Sequence, residues 1–308
     1  MPHAQRFARI NRKWRQIASS ELSATGKFAY SLDLALGFLR SPSRQGHQKY
    51  RLKGGATVAL REGSTDRKVF DEVFLENTYG GLAASSPAPR GSKTASNTAA
   101  APVVLIDLGA NIGLSAIALA RQLRPAGIVA VEPDGANFAM LQHNLRLAGL
   151  SDRSKTIRAF AGAERGFAEL VDSGNGAWGM RMGAPARAGI PVWRIEDLVA
   201  LGKQMFYDAR QPFGHATSPV KVVLKCDIEG AEAQLFQSLT RWEHLVERVV
   251  LELHTEFLSV ESFRACLDAS RYRWRIEGEI PPGALLAVIA LERGEWKLTP
   301  QSQHAAVS

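Results

Sequence analysis

With 308 residues and 45% hydrophobic content, the chain can bury a full α/β core and carry further segments beside it. No run of about 18 apolar residues occurs, so no membrane-spanning helix is expected. Two cysteines, Cys226 and Cys266, are too few for a disulfide framework or a zinc cluster. The net charge of +8 is uneven: residues 1–61 hold 12 Lys and Arg against Glu21 and Asp33, a net of +10, and the remainder is at −2. Such asymmetry points to an arm touching nucleic acid or another anionic surface, or to a solvated extension.

Residues 1–55 form this basic extension. The start, Met1 to Arg6, runs into basic rather than apolar sequence, so a secretory signal is not expected and a cytoplasmic setting is the default. Ile10, Trp14, Ile17 and Ala18 share one helical face, and Phe28 to Leu39 reads as a second helix. Core packing is the expected use of these apolar positions, with an amphipathic membrane-surface helix as the other reading. Residues 56–80 read as an ordered lead-in: a strand at Thr57 to Leu60, then a helix with Val69, Phe70, Val73 and Phe74 on one face behind the N-cap candidates Ser64, Thr65 and Asp66. Residues 81–101 are rich in Gly, Ala, Ser, Pro and Thr and read as a linker or flexible loop.

From 102 to 294 strands and helices alternate. Val103 to Leu108 is a buried strand, followed by a glycine turn and a helix from Leu114 to about Leu123. Ile128 to Val131 is a second strand. A helix from Asn137 to about Ala148 follows, with Phe138, Leu141, Leu145 and Ala148 inward. Thr156 to Phe160 is a third strand, and residues 166–194 read as an antiparallel hairpin insertion around a turn at 173–176. Ile195 to Leu198 opens a short helix. Val222 to Asp227 is a fourth strand with a helix from Glu229 to about Leu239. Val249 to His254 is a fifth, and after a helix near 259–269, Tyr272 to Ile276 and Leu285 to Leu291 close the sheet. Residues 295–308 read as a frayed tail. The alternation predicts an α/β, Rossmann-like doubly wound sheet of about seven strands, mostly parallel with an antiparallel C-terminal strand. Ligands of such sheets sit at the carboxyl ends of the strands, where the strand order reverses.

Three motifs fall at such ends. The first, Asp107-Leu108-Gly109-Ala110-Asn111-Ile112-Gly113, lets the backbone turn sharply and offers the free N–H groups of a helix start to an anion. It is not the Gly-x-Gly-x-x-Gly of a dinucleotide site. The second, Glu132-Pro133-Asp134, places a carboxylate where it can accept two hydrogen bonds from ribose hydroxyls. The third, Lys225-Cys226-Asp227-Ile228-Glu229-Gly230-Ala231-Glu232, sets three carboxylates and a lysine at a strand end facing the first motif.

Taken together, DLGANIG, AVEPD, LKCDIEGAE and VVLELH, in this order, resemble the FkbM-type methyltransferases, a branch of the class I S-adenosylmethionine-dependent enzymes. The lead-in REGSTDRKVFDEVFLENTY is similar as well. The resemblance covers roughly residues 55–255 and leaves the basic arm aside. It implies that Asp107, Gly109, Ala110, Asn111 and Gly113 cradle the methionine end of S-adenosylmethionine and that Glu132 holds the ribose, with Pro133 and Asp134 shaping the rim. It implies also that Phe160, Ala161 and Gly162 border the adenine, that Asp227 and Glu229 face the methyl group, and that Glu252 and His254 line the acceptor side.

The expected activity is O-methylation of a small molecule, sugar or glycan. No metal is required, and the candidates for the base are His254, Asp227 and Glu229, with His254 or Asp227 favoured. The carboxylates could instead chelate a divalent ion, although nothing in the spacing demands one. Two alternatives remain from the residues: a nucleic-acid methyltransferase using the basic arm, or a non-catalytic binding protein on the same fold. Against the former, the fourth strand lacks an Asn/Asp-Pro-Pro-aromatic ending that would stack a flipped base.

Overall fold

The computed structural model describes residues 3–36, 46–81, 101–172, 180–208 and 219–297. Most of the expected linker, the turn at 173–176 and the tail beyond 297 lie outside these residues.

Helices α1 (His3–Ser19) and α2 (Ala24–Leu36) lead into an antiparallel pair, β1 (His47–Arg51) and β2 (Thr57–Arg61). Helix α3 (Asp66–Phe70) continues into a π-helical turn, Asp71–Leu75. The main sheet then begins with β3 (Val103–Leu108), α4 (Leu114–Leu123), β4 (Gly127–Val131), α5 (Gly135–Leu147) and β5 (Ser154–Ile157). A second sheet interrupts it, made of β6 (Phe160–Gly162), β7 (Gly166–Asp172), β8 (Met180–Ala186) and β9 (Ile190–Arg194). After α6 (Ile195–Asp208) the main sheet resumes with β10 (Lys221–Cys226), α7 (Glu232–Gln237), α8 (Leu239–Trp242), β11 (Arg248–His254), α9 (Val260–Ala269), β12 (Tyr272–Glu277) and β13 (Leu286–Trp296).

The seven main strands lie in the order β12-β13-β11-β10-β3-β4-β5. All neighbours are parallel except β13, which runs antiparallel to both β11 and β12. The chain winds outward from β3 to β5, returns through β10, and winds outward the other way. The reversal leaves a crevice between the carboxyl ends of β3 and β10. The expected sheet is the observed one.

Alternation along the strands divides the core. Val104, Ile106 and Leu108 pack with α6 to α9 on one face, while Leu105 and Val223 pack with α4, α5 and the N-terminal elements on the other. Asp107 shares the face of Leu105, which turns its carboxylate toward α4, where Ser115 Oγ donates to it at 2.7 Å.

Several elements differ from expectation. The third strand divides in two: Ile157 pairs with Val131 in the main sheet, whereas Phe160 pairs with Val192 in the second. Nothing in the run itself marks the break, which depends on the pairing of Phe160 with the distant β9. The fourth helix begins at Glu232 rather than Glu229, because Glu229 (φ 51°) and Gly230 (φ 98°) form a left-handed turn. Of the predicted face on α1, Ile17 is buried but Trp14 and Ala18 are exposed. On α2 Tyr30 is buried, and Phe28 and Leu32 face solvent instead of the core. Strand β13 runs to Trp296 and takes in the first residues assigned to the tail.

Candidate active site

The crevice opens into a cavity of about 440 Å³, within the range of small-ligand sites. Its first wall is the glycine turn. Gly109 (φ +69°) lies so close to the end of β10 that a Cβ there would sit 1.7 Å from the Asp227 carbonyl oxygen. Asn111 (φ 49°) adopts the left-handed conformation as well, and its backbone N–H donates to Glu132 Oε2 at 2.8 Å. The Asp134 N–H donates to Glu132 Oε1 at 2.9 Å. Asp134 itself caps α5 through the N–H of Asn137. Burial raises the Glu132 carboxyl to about 7 against these two hydrogen bonds.

The opposite wall is the end of β10. Lys225 is buried, and its Nζ donates to the carbonyl of Gly109 at 2.8 Å and to Asp227 Oδ2 at 3.2 Å, and lies 3.4 Å from Asp107 Oδ1. Burial alone would lower its pKa, but Asp227 and Asp107 outweigh that and hold it above the ordinary lysine value. The left-handed turn beyond Asp227 is fastened by Glu232, whose oxygens accept from the N–H groups of Ile228 (3.0 Å) and Gly230 (2.6 Å). Glu232 Oε1 also meets His254 Nδ1 at 3.0 Å. Burial disfavours a charged His254 ring, yet Glu232, Asp227 and Glu229 raise it to about 9. The turn points Glu229 at the other ring nitrogen, with 3.8 Å between Glu229 Oε2 and His254 Nε2. Burial and the charge of Asp227 raise Glu229 to about 7 and Glu252 to about 8. The Glu252 carboxylate accepts from the Tyr79 hydroxyl.

Of the residues singled out in the sequence, Gly109, Ala110, Asn111, Glu132, Pro133, Phe160, Ala161, Asp227, Glu229, Glu252 and His254 line the cavity. Asp107, Gly113, Asp134 and Gly162 do not. Asp107 lies fully buried behind the turn, and Gly113 starts α4 against Leu141.

Further lining comes from Lys68, Glu72, Glu76 and Tyr79 of the lead-in and from Met182 of the second sheet. The first three recur every fourth residue, a stripe that reads as a solvent face until the sheet edge lies against it. Asn144 was missed as well. It bonds Ala59 on both its N–H and carbonyl and donates to the Ile112 carbonyl, joining the lead-in to the glycine turn.

The donor set admits a cation. Single ligand atoms of Asp227, Glu229 and His254 lie within 4.8 Å of one another. Without a metal, the surrounding acids favour the charged form of the His254 ring, which then balances the carboxylates there.

No protein-family model matches the sequence, and no curated protein matches it. Among solved structures, the chain is similar to methyltransferase FkbM from Methylobacillus flagellatus KT, at 18% identity and a TM-score of 0.39, over 62% of this chain and 43% of that one. It is similar to M. jannaschii TYW2 in complex with AdoMet, at 12% identity and a TM-score of 0.42, over 83% and 89% of the two chains. It is similar to M. capricolum TrmK in complex with S-adenosyl-homocysteine, at 10% identity and a TM-score of 0.36, over 66% and 68%. Likenesses this distant carry no weight for function, and the FkbM resemblance rests on the motifs quoted above.

Proposed function

We propose that the chain is an S-adenosylmethionine-dependent methyltransferase that methylates a hydroxyl of a small molecule, sugar or glycan. The observation that carries the cofactor part of this reading is Glu132; the hydroxyl acceptor follows the FkbM resemblance of the motifs. Each of its oxygens accepts one backbone N–H and keeps further acceptor capacity, which suits the two adjacent hydroxyls of a ribose at the mouth of a glycine turn. The cavity and its donor set fit the cofactor: carboxylates near the centre favour a sulfonium, and the turn from Gly109 to Asn111 offers backbone to the amino-acid end. When bound, the cofactor supplies a methyl group already activated for transfer.

The chain's own residues then orient the acceptor and receive its proton. His254 is held charged and donates rather than accepts. That leaves Asp227 and Glu229, and we assign the base to Glu229, whose value of about 7 suits proton transfer at neutral pH. Its left-handed backbone supports a functional position, because a non-glycine residue keeps such strain only where its surroundings impose it. Asp227 stays within reach of Lys225 and steadies positive charge at the transferring centre. Lys68, Glu72 and Met182 line the acceptor side.

The test is methyl transfer from radiolabelled S-adenosylmethionine into cell extract, with and without glycosidase or nuclease treatment. Glu229→Gln should lower turnover by about a hundredfold or more while leaving cofactor affinity near wild type. Label that nuclease alone removes would shift the acceptor to nucleic acid. Undiminished transfer by Glu229→Gln would remove the assigned base.

A further inference from the structure

The outer face of α2 is apolar. Its inner face is marked by Tyr30, which is fully buried, and by Gly26, where a Cβ would lie 2.2 Å from the Arg51 carbonyl oxygen. Half a turn away, Ala24, Phe28, Leu32 and Ala35 are all exposed, Phe28 by 72%. Steps of four, four and three place them on one stripe. A surface helix ordinarily carries polar side chains there. Leu34 and, on α1, Trp14 are exposed apolar side chains of the same segment. The amine of Lys27 donates to the Ala18 carbonyl and fixes the start of α2 beside the end of α1.

The segment is strongly cationic: residues 1–61 carry a net charge of +10, and Arg12 and Arg15 are exposed on α1, which Lys27 ties to the start of α2. The two acids of the segment are engaged elsewhere: Glu21 pairs with Arg121 at 2.9 Å and with Lys53 at 3.7 Å, and Asp33 accepts from the Tyr50 hydroxyl at 2.8 Å. An apolar helical stripe in a cationic segment is what an interfacial helix presents: the apolar groups enter the headgroup boundary while the cations meet anionic headgroups. Nucleic acid matches less well, because among Ala24, Phe28, Leu32 and Ala35 only Phe28 offers a base a ring to stack on.

We propose that the outer face of α2, with the exposed cations of α1, docks the chain on an anionic membrane surface without spanning it. No helix among the described residues is long and apolar enough to cross a bilayer. The inner face of α1 meets the cavity wall, since Gln16 donates at 3.3 Å to Glu76, which lines the cavity.

Co-sedimentation of the full chain with unilamellar vesicles of mixed phosphatidylglycerol and phosphatidylcholine tests the proposal. The chain should pellet with these vesicles. Binding should fall by about tenfold or more with pure phosphatidylcholine, at high salt, and in a Phe28→Glu/Leu32→Glu variant. Both substituted positions are exposed, so melting temperature and S-adenosylmethionine binding should match wild type. Were that variant to misfold, Arg12→Glu/Arg15→Glu carries the same expectation through the charges. Failure of the wild-type chain to bind anionic vesicles overturns the proposal, as does unchanged binding in both variants. So does stripe-dependent dimerisation, or salt-sensitive binding of bulk RNA, in the absence of vesicle binding.

Discussion

The buried ammonium of Lys225 donates to the carbonyl oxygen of Gly109 at 2.8 Å, tying the end of β10 to the glycine turn after β3. It also balances Asp107 and Asp227, so one side chain holds both walls of the crevice and the charges behind them. Lys225→Met should therefore destabilise the fold by about 3–5 kcal/mol, because two carboxylates lose their compensation in the interior. Denaturant unfolding checks this, and adding Asp107→Asn should return part of the loss. A change below about 1 kcal/mol would show that the pair is solvated in the native state.

Gly109 tolerates no side chain. Its positive φ and the 1.7 Å approach of a Cβ to the Asp227 carbonyl act together, so Gly109→Ala should cost about 2–5 kcal/mol and displace Asp227. Thermal melting gives the loss, and cofactor titration on the surviving fold should show weakened binding. Gly149 (φ +70°) has nothing within 4 Å of a Cβ, so Gly149→Ala meets backbone strain alone and should cost less.

His254 links pH to stability. Its folded value of about 9 lies above the ordinary 6.5, so its charge contributes stability that is fully present below pH 6.5 and is lost as pH rises through 9. Glu232→Gln removes the nearest negative charge and should bring the ring down, flattening this term between pH 6.5 and 9. A proton NMR titration of the imidazole reads the shift directly, and denaturation at several pH values reads its consequence. An unmoved titration would mean that Asp227 and Glu229 set the value without Glu232.

Chelators should leave transfer unchanged. The imidazolium already stands among the carboxylates that would otherwise gather a divalent ion, 3.8 Å from Glu229 Oε2. Activity lost to EDTA and restored by Mg²⁺ would reassign Asp227, Glu229 and His254 as ligands.

Much of the sheet was legible because its strands carry local signals. Val103 to Leu108 and Val222 to Cys226 are apolar runs ended by Asp and Gly, and a buried parallel strand needs little else. The helix from Leu114 to Leu123 was likewise readable from its glycine start. What failed depended on distant partners. Phe160 left the main sheet for β9, a pairing that no window around residue 160 contains. Glu229 looked like the acidic first turn of a helix, yet Gly230 and the reach of Glu232 back to the 228–230 backbone made a left-handed turn of it. On α2 the apolar residues were expected inward, but Tyr30 and Gly26 took the inner face and left Phe28 and Leu32 outside. In the site, the motif ends were visible one by one. The Glu232 hold on His254 and the wall from Lys68 to Glu76 appear only once β11 and the lead-in are brought to the crevice.

The central claim is that Glu132 holds the ribose of S-adenosylmethionine at the end of β4. Isothermal calorimetry of the cofactor with wild-type and Glu132→Ala protein, with circular dichroism to confirm folding, tests it most directly. The wild-type chain should bind, and the variant should lose about a hundredfold in affinity, the worth of two hydrogen bonds to a charged acceptor. Equal affinity in the two proteins, or no binding by well-folded wild-type chain, would contradict it.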